Sequence, residues 1–95
     1  MKSIIYKWAL SHGINRIEMP WSARVINVAA QENTPVLWAL LDERRILTST
    51  RMFRVVMTGE EFNKGEQEKY LGTLTCVDGI VMHVFEIEDD KQNGC

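Results

Sequence analysis

Cys76 and His83 are the two residues whose types and spacing come closest to doing chemistry. They sit in "TCVDGIVMHVFEIE", residues 75–88. A thiolate beside an imidazole is either a nucleophile with its base or part of a metal site. Asp78-Gly79 between apolar runs signals a two-residue type I′ hairpin, because that turn needs positive φ at both central residues. Taking those two as the loop sets Cys76 opposite Val81, Leu74 opposite His83, Gly72 opposite Phe85 and Tyr70 opposite Ile87. Cys76 and His83 then share the face richer in large apolar groups, which is assigned to the core. As diagonal neighbours their Cα atoms would stand roughly 7–8 Å apart, so a dyad is geometrically permitted. A reactive cysteine, however, needs an electropositive, partly open setting, and Val81, Leu74 and Phe85 would keep the thiol protonated. Zinc would want four ligands at familiar spacings, yet the only other histidine is His12 and there is no Cys-x-x-Cys. The expectation is a packed cysteine and a hydrogen-bonded core histidine, with no catalytic residue, no metal and no cofactor.

Five residues stand out as candidates for binding: Trp21, Arg44, Arg45, Arg51 and Arg54. The arginines cluster around one linker and the strand after it, with Phe53 and Trp38 near in sequence. One reading makes them basic groups among aromatic platforms for a single-stranded nucleic acid, or contacts for the phosphate of a small ligand. The preferred reading puts Phe53 and Trp38 in the core and the arginines on a solvated edge that discourages strand pairing. Trp21 lies in a proline-led turn, where a side chain is ordinarily exposed, and tryptophan is enriched among binding hot spots. Its other reading folds it back to cap the end of a barrel. The acidic pairs Asp42-Glu43 and Glu60-Glu61 fall in loops and read as solvated charge. Nucleotide-loop, nucleophile-elbow and zinc-protease signatures are missing.

The elements that must position these residues are strands. Ninety-five residues suffice for one domain with one core, and 45% hydrophobic with 25% charged residues is an ordinary globular balance. A net charge of −2 gives no general attraction to nucleic acid or anionic lipid. No window reaches the roughly 18–20 apolar residues of a membrane span, and no secretory signal is expected before Lys7. Two cysteines, 76 and 95, make a poor disulfide framework. The run 36–41 is apolar at both parities, a covered central strand or a helix segment, and its length with Pro35 and Asp42 beside it favours the strand. Alternation over 4–10, 16–19 and 51–57, a β-branched apolar run over 23–30 and turn signals about every ten residues predict a mainly β domain. It has six or seven antiparallel strands, arranged as a barrel or a sandwich, and at most one short helix. Residues 43–50 read as polar linker. Residues 58–69 read as an acidic loop with one or two helical turns at most, Thr58 and Glu61 having the spacing of a capping box. A single β domain over 1–88 is followed by a polar, disordered tail over 89–95.

Taken together, "IYKWAL", "IEMP", "PVLWALLD", "RMFRVVMTG", "YLGTL" and "HVFE" resemble a small family of uncharacterised proteins encoded by bacteriophages, prophages and bacteria. The resemblance spans roughly residues 4 to 87, with the segments in the family's order. Trp21 and Ser22 stand where that pattern carries a basic residue and a glycine, and Cys76 is not part of it. The resemblance implies an intracellular viral or prophage protein and carries no activity with it. The functional expectation is a non-enzymatic accessory module that binds and modulates a host bacterial protein in the host cytoplasm. The alternatives are a small-ligand or nucleotide sequestering protein and a single-stranded nucleic-acid binder. Self-association is left open.

Overall fold

Alternating apolar side chains, broken by glycine and proline turns, divide the chain into seven strands in the computed structural model, which describes residues 2–42 and 47–88. They are β1 (Ser3–Ala9), β2 (Gly13–Pro20), β3 (Arg24–Gln31), β4 (Thr34–Asp42), β5 (Thr48–Met57), β6 (Glu68–Thr75) and β7 (Val81–Ile87). All pair antiparallel, in a three-stranded sheet of order β1-β4-β3 and a four-stranded sheet of order β2-β5-β7-β6. The fold is thus a small β sandwich and not a closed barrel, and no helix occurs among the described residues. Arg44, Arg45 and the tail 89–95 lie outside those residues.

The core is built by strand parity. Leu37, Ala39 and Leu41 of β4 point to one side, and Met19, Phe53, Val55, Leu74 and Val84 of the other sheet point back at them. Side chains alternate across a strand, so one face of each sheet is spent on this cluster. The two sheets close on each other at β3 and β6. A Cβ on Gly72 would stand 2.6 Å from a Val28 methyl, so only glycine lets the β3 side chain rest on the β6 backbone. The turns at the same end are tied as well: Val77 N–H donates to the Glu32 carbonyl and Asp78 N–H to Asn33 Oδ1. Both joined strands carry a bulge, at Ile26 in β3 and Leu71 in β6, where an extra residue locally interrupts the ladder and bends the strand.

Four sequence expectations are corrected. The second strand is longer than 16–19, reaching back to Gly13. The linker gives up Thr48–Thr50 to β5, and the 58–69 loop gives up Glu68 and Lys69 to β6. The rest of that loop contains no helical turn, within the expected limit of one or two at most; Glu60 sits in a tight turn in which its own amide donates to the Met57 carbonyl. The fourth correction is the largest. The β6–β7 loop is not the two residues Asp78-Gly79. Cys76 N–H bonds the Ile80 carbonyl and Gly79 N–H bonds the Cys76 carbonyl, which makes a three-residue loop with Gly79 left-handed at φ 91°. Thr75 therefore faces Val81, Leu74 faces Met82, and Thr73 faces His83. A one-residue slip turns every side chain of a strand to the other face. Met82, Val84 and Glu86 point inward, while His83, Phe85 and Ile87 lie on the outer face.

The Gly72–Val28 contact yields a coupled prediction. Gly72→Ala should lower stability by about 1–3 kcal/mol through overpacking. Most of that loss should vanish in a Val28→Ala background, where the struck methyl is gone. Urea unfolding of the four combinations reads the coupling.

Candidate binding site

Trp21 and Arg51 come together at one end of the four-stranded sheet. Pro20 opens a β-turn closed by the Ala23 amide on the Pro20 carbonyl, and Trp21 N–H donates to the Leu47 carbonyl. The indole is left 63% exposed, so it does not fold back as a cap. Arg51 braces this turn from below. Its Nη1 donates to the Ala23 carbonyl at 2.5 Å, while Nε and Nη2 grip the two oxygens of Glu86 at 2.7 and 2.9 Å. The guanidinium lies 5.9 Å from the Phe53 ring centroid, at the limit of the core. Both partners of the pair are mostly covered. A two-pronged ion pair in such surroundings is a directional lock rather than a loose surface contact.

Around this lock runs a cleft of about 590 Å³, walled by Trp21, Ala23, Arg16, Met52, Lys69 and Glu88 among others. The side chains of Arg16 and Lys69 form no hydrogen bond or ion pair among the described residues. The cleft thus sets an exposed aromatic plate beside two uncommitted cations. It can receive a flat or apolar group on the indole and an anionic group on the rim.

The remaining candidates are not part of it. Arg54 lies on the opposite face of β5, where Nε and Nη2 hold Glu68 at 3.0 and 3.1 Å and the guanidinium covers the Phe62 ring at 5.3 Å. Phe62 in turn packs on Phe85, which also meets Tyr70. This stack fastens the loop after β5 to the outer face of the sheet. Arg51 and Arg54 are therefore not on a solvated edge: β5 is an interior strand, and both are ion-paired. Phe53 is buried as expected, but Trp38 is half-buried on the outside of the other sheet, across β4 from the core face. The grouping of arginines with both aromatics does not form. Arg44 and Arg45 fall outside the described residues.

The Cys76–His83 pair is also dissolved, by the hairpin register. Cys76 is buried with a free thiol. His83 is half-buried on the outer face, so it is not the core histidine expected from the sequence. Its Nε2 hydrogen-bonds Thr58 Oγ1 at 2.7 Å and its Nδ1 bonds Thr73 Oγ1 at 2.9 Å, and Thr73 bonds the Tyr70 hydroxyl. An imidazole held between two hydroxyls fixes the loop after β5 to β6. His12, likewise, donates from Nε2 to Glu60 Oε1 at 2.7 Å. That bond, the Met57 amide and the imidazole's charge hold Glu60 below the usual carboxylate range, against a smaller opposing effect of burial. For Glu68 burial acts upward, but the Arg54 and Gly65 hydrogen bonds and the charges of Arg54 and Lys64 outweigh it and set the carboxyl below its ordinary value. Among the described residues no three His, Cys, Asp or Glu side chains stand close enough to hold a metal ion.

Sequence reasoning missed Arg16, Lys69, Glu86 and Glu88. A signal was available for one: Arg51 and Glu86 each interrupt an inward apolar series, Phe53-Val55 in one strand and Met82-Val84 in the other. Two opposite charges at matching interruptions point to a cross-strand pair.

Fold and cleft together define a seven-stranded antiparallel sandwich with an aromatic-and-cation groove at one end of its larger sheet. The chain belongs to the family described as a domain of unknown function (DUF7352), which matches residues 1–94. No curated protein and no solved structure matches it. No helix among the described residues is long and apolar enough to cross a membrane.

Two measurements check this geometry. Unfolded Glu68 takes up its proton at a higher pH than folded Glu68. Its contribution to stability is therefore complete above about pH 4.3 and is lost as pH falls through the lower folded value. Glu68→Gln should flatten the decline of unfolding free energy as pH falls below the ordinary glutamate range, relative to wild type. In a Cys95→Ser background, Cys76 should react with a thiol reagent only as fast as the protein unfolds; rapid labelling would contradict its place in the core.

Proposed function

We propose that this domain is a non-enzymatic interaction module, a phage or prophage accessory protein that binds a host bacterial protein in the cytoplasm and modulates it. Trp21 and the adjoining cleft form the contact. The observation that carries this reading is an exposed indole on a turn that Arg51 holds rigid. Tryptophan and arginine dominate binding hot spots, and an anchor already fixed in place costs little entropy to dock. Arg16 and Lys69 at the rim favour a partner segment that presents a carboxylate next to an apolar side chain.

A second reading, a small-ligand or nucleotide sequestering protein, draws support from the same cleft. Its volume falls within the roughly 300–1,000 Å³ of ligand sites, and its two free cations would suit a phosphate. Single-strand binding draws less, since Arg51 and Arg54 occupy opposite faces and are already neutralised by glutamates.

Affinity capture of the tagged protein from a bacterial lysate, followed by native mass spectrometry, separates these. A single host protein retained by wild type and lost with Trp21→Ala, at unchanged circular dichroism, is the expected outcome. A bound small molecule without a protein partner would favour sequestration. A protein partner that ignores Trp21→Ala would move the contact away from the cleft.

A further inference from the structure

A β sandwich with two open sheets has four edge strands, and three of them are closed to further pairing here. β3 and β6 are bulged and packed against each other through Val28 and Gly72. β2 shows charged Arg16 and Glu18 on its outer face and ends in Pro20, the devices that keep edges from pairing. β1 has none of these. It is a bulge-free strand of seven residues, Ser3–Ala9, in continuous register with β4. Apart from Trp8, which packs against the core, its apolar side chains from Ile4 to Tyr6 are uncovered on both faces: Ile5 is 52% exposed on the outer side, and Ile4 and Tyr6, 36% and 47% exposed, on the inner side. Among the described residues β4 is its one paired neighbour, and no strand pairs with its other edge. The one lysine that could guard it, Lys7, is turned away across the sheet, with Nζ donating to Gln31 Oε1 on β3 at 2.8 Å.

The backbone polarity of that edge can be read from one bond. Leu10 N–H donates to the Pro35 carbonyl, so Leu10 and Pro35 form a hydrogen-bonded pair. Such pairs alternate along an antiparallel ladder. Trp8, Tyr6 and Ile4 therefore spend their backbone groups on β4, and Ser3, Ile5, Lys7 and Ala9 direct theirs outward.

From this we infer that β1 pairs with β1 of a second copy of the chain, antiparallel about a two-fold axis at Ile5, joining two three-stranded sheets into one of order β3-β4-β1-β1-β4-β3. In that register Ile5 exchanges both backbone bonds with Ile5 of the second copy, and Ser3 does so with Lys7. Ile4 falls beside Tyr6 on the inner face, once from each copy, and aromatic with β-branched is a favoured cross-strand pair. Each central apolar side chain meets another, and the two Lys7 ammonium groups stay apart on their own sheets. A two-fold axis makes a single strand complementary to itself. The small net charge of −2 offers little resistance to association.

The decisive measurement is sedimentation velocity across a hundredfold concentration range, for wild type and two variants. Wild type should approach twice the monomer mass. Ile5→Pro removes an N–H that faces away from β4, so it should leave the β1–β4 ladder intact and yield monomer at every concentration. Ile5→Lys, which leaves the backbone untouched and opposes two ammonium groups at the axis, should do the same with an unchanged β-type circular dichroism spectrum. It decides the matter if the proline variant fails to fold. Wild type that stays monomeric throughout would overturn the inference, including the case in which β1 instead takes up a foreign extended peptide. A dimer that survives Ile5→Lys would overturn it too, by placing the contact elsewhere.

Discussion

One turn geometry, the three-residue loop Val77-Asp78-Gly79, decides what the second half of the chain can do. Gly79 is left-handed but Asp78 is not, so the two cannot form a type I′ pair, and the longer loop sets which side of the sheet each β7 residue serves. With that loop in place, Val84 seals the core and Glu86 turns inward to meet Arg51. His83 and Phe85 turn outward and receive the loop after β5. With a two-residue loop the reverse would hold: Glu86 would be stranded in solvent, and an imidazole would have to be satisfied among Val84's present neighbours. The cost of an unpaired buried polar group makes the two arrangements unequal.

The two ion pairs of β5 divide the work of that strand. Arg51–Glu86 faces inward and ties the larger sheet to the turn that carries Trp21. Arg54–Glu68 faces outward and, through Phe62, fastens a segment that has no regular structure of its own. Each arginine is a fork with a carboxylate in both prongs, so each fixes direction as well as proximity. The exposed indole is consequently borne by a turn braced from β5 and not by a free loop.

Much of this was readable from the sequence where one rule governed it. Phe53, Val55 and Met57 share a face by period-two alternation, and Trp21 is exposed because a proline-led turn leaves it little to pack against. The barrel-or-sandwich question was not open to such reasoning, because it depends on whether strands far apart in sequence close a cylinder. The Cys76–His83 pairing failed on a single residue: Asp-Gly also ends a longer turn in which glycine is the third member, and local composition does not separate the two. For the arginines the rule was at hand, since positions 51 and 54 have opposite parity and must lie on opposite faces. Arg16 and Lys69 looked like ordinary surface cations, and only the pairing of β2 with β5 and of β6 with β7 brings them to one cleft.

The strand order has a consequence in time. Only β3–β4 and β6–β7 are hairpins between neighbours in sequence; Ser3 must wait for Asp42 and Gly13 for Val55. Contacts of such separation are entropically costly to close and slow to form. The two hairpins, joined where Val28 meets Gly72, can assemble without the first twenty residues. During synthesis β1 and β2 leave the ribosome first and find their partners last. For that interval the most apolar uncovered strand in the chain is also the one that has been waiting longest.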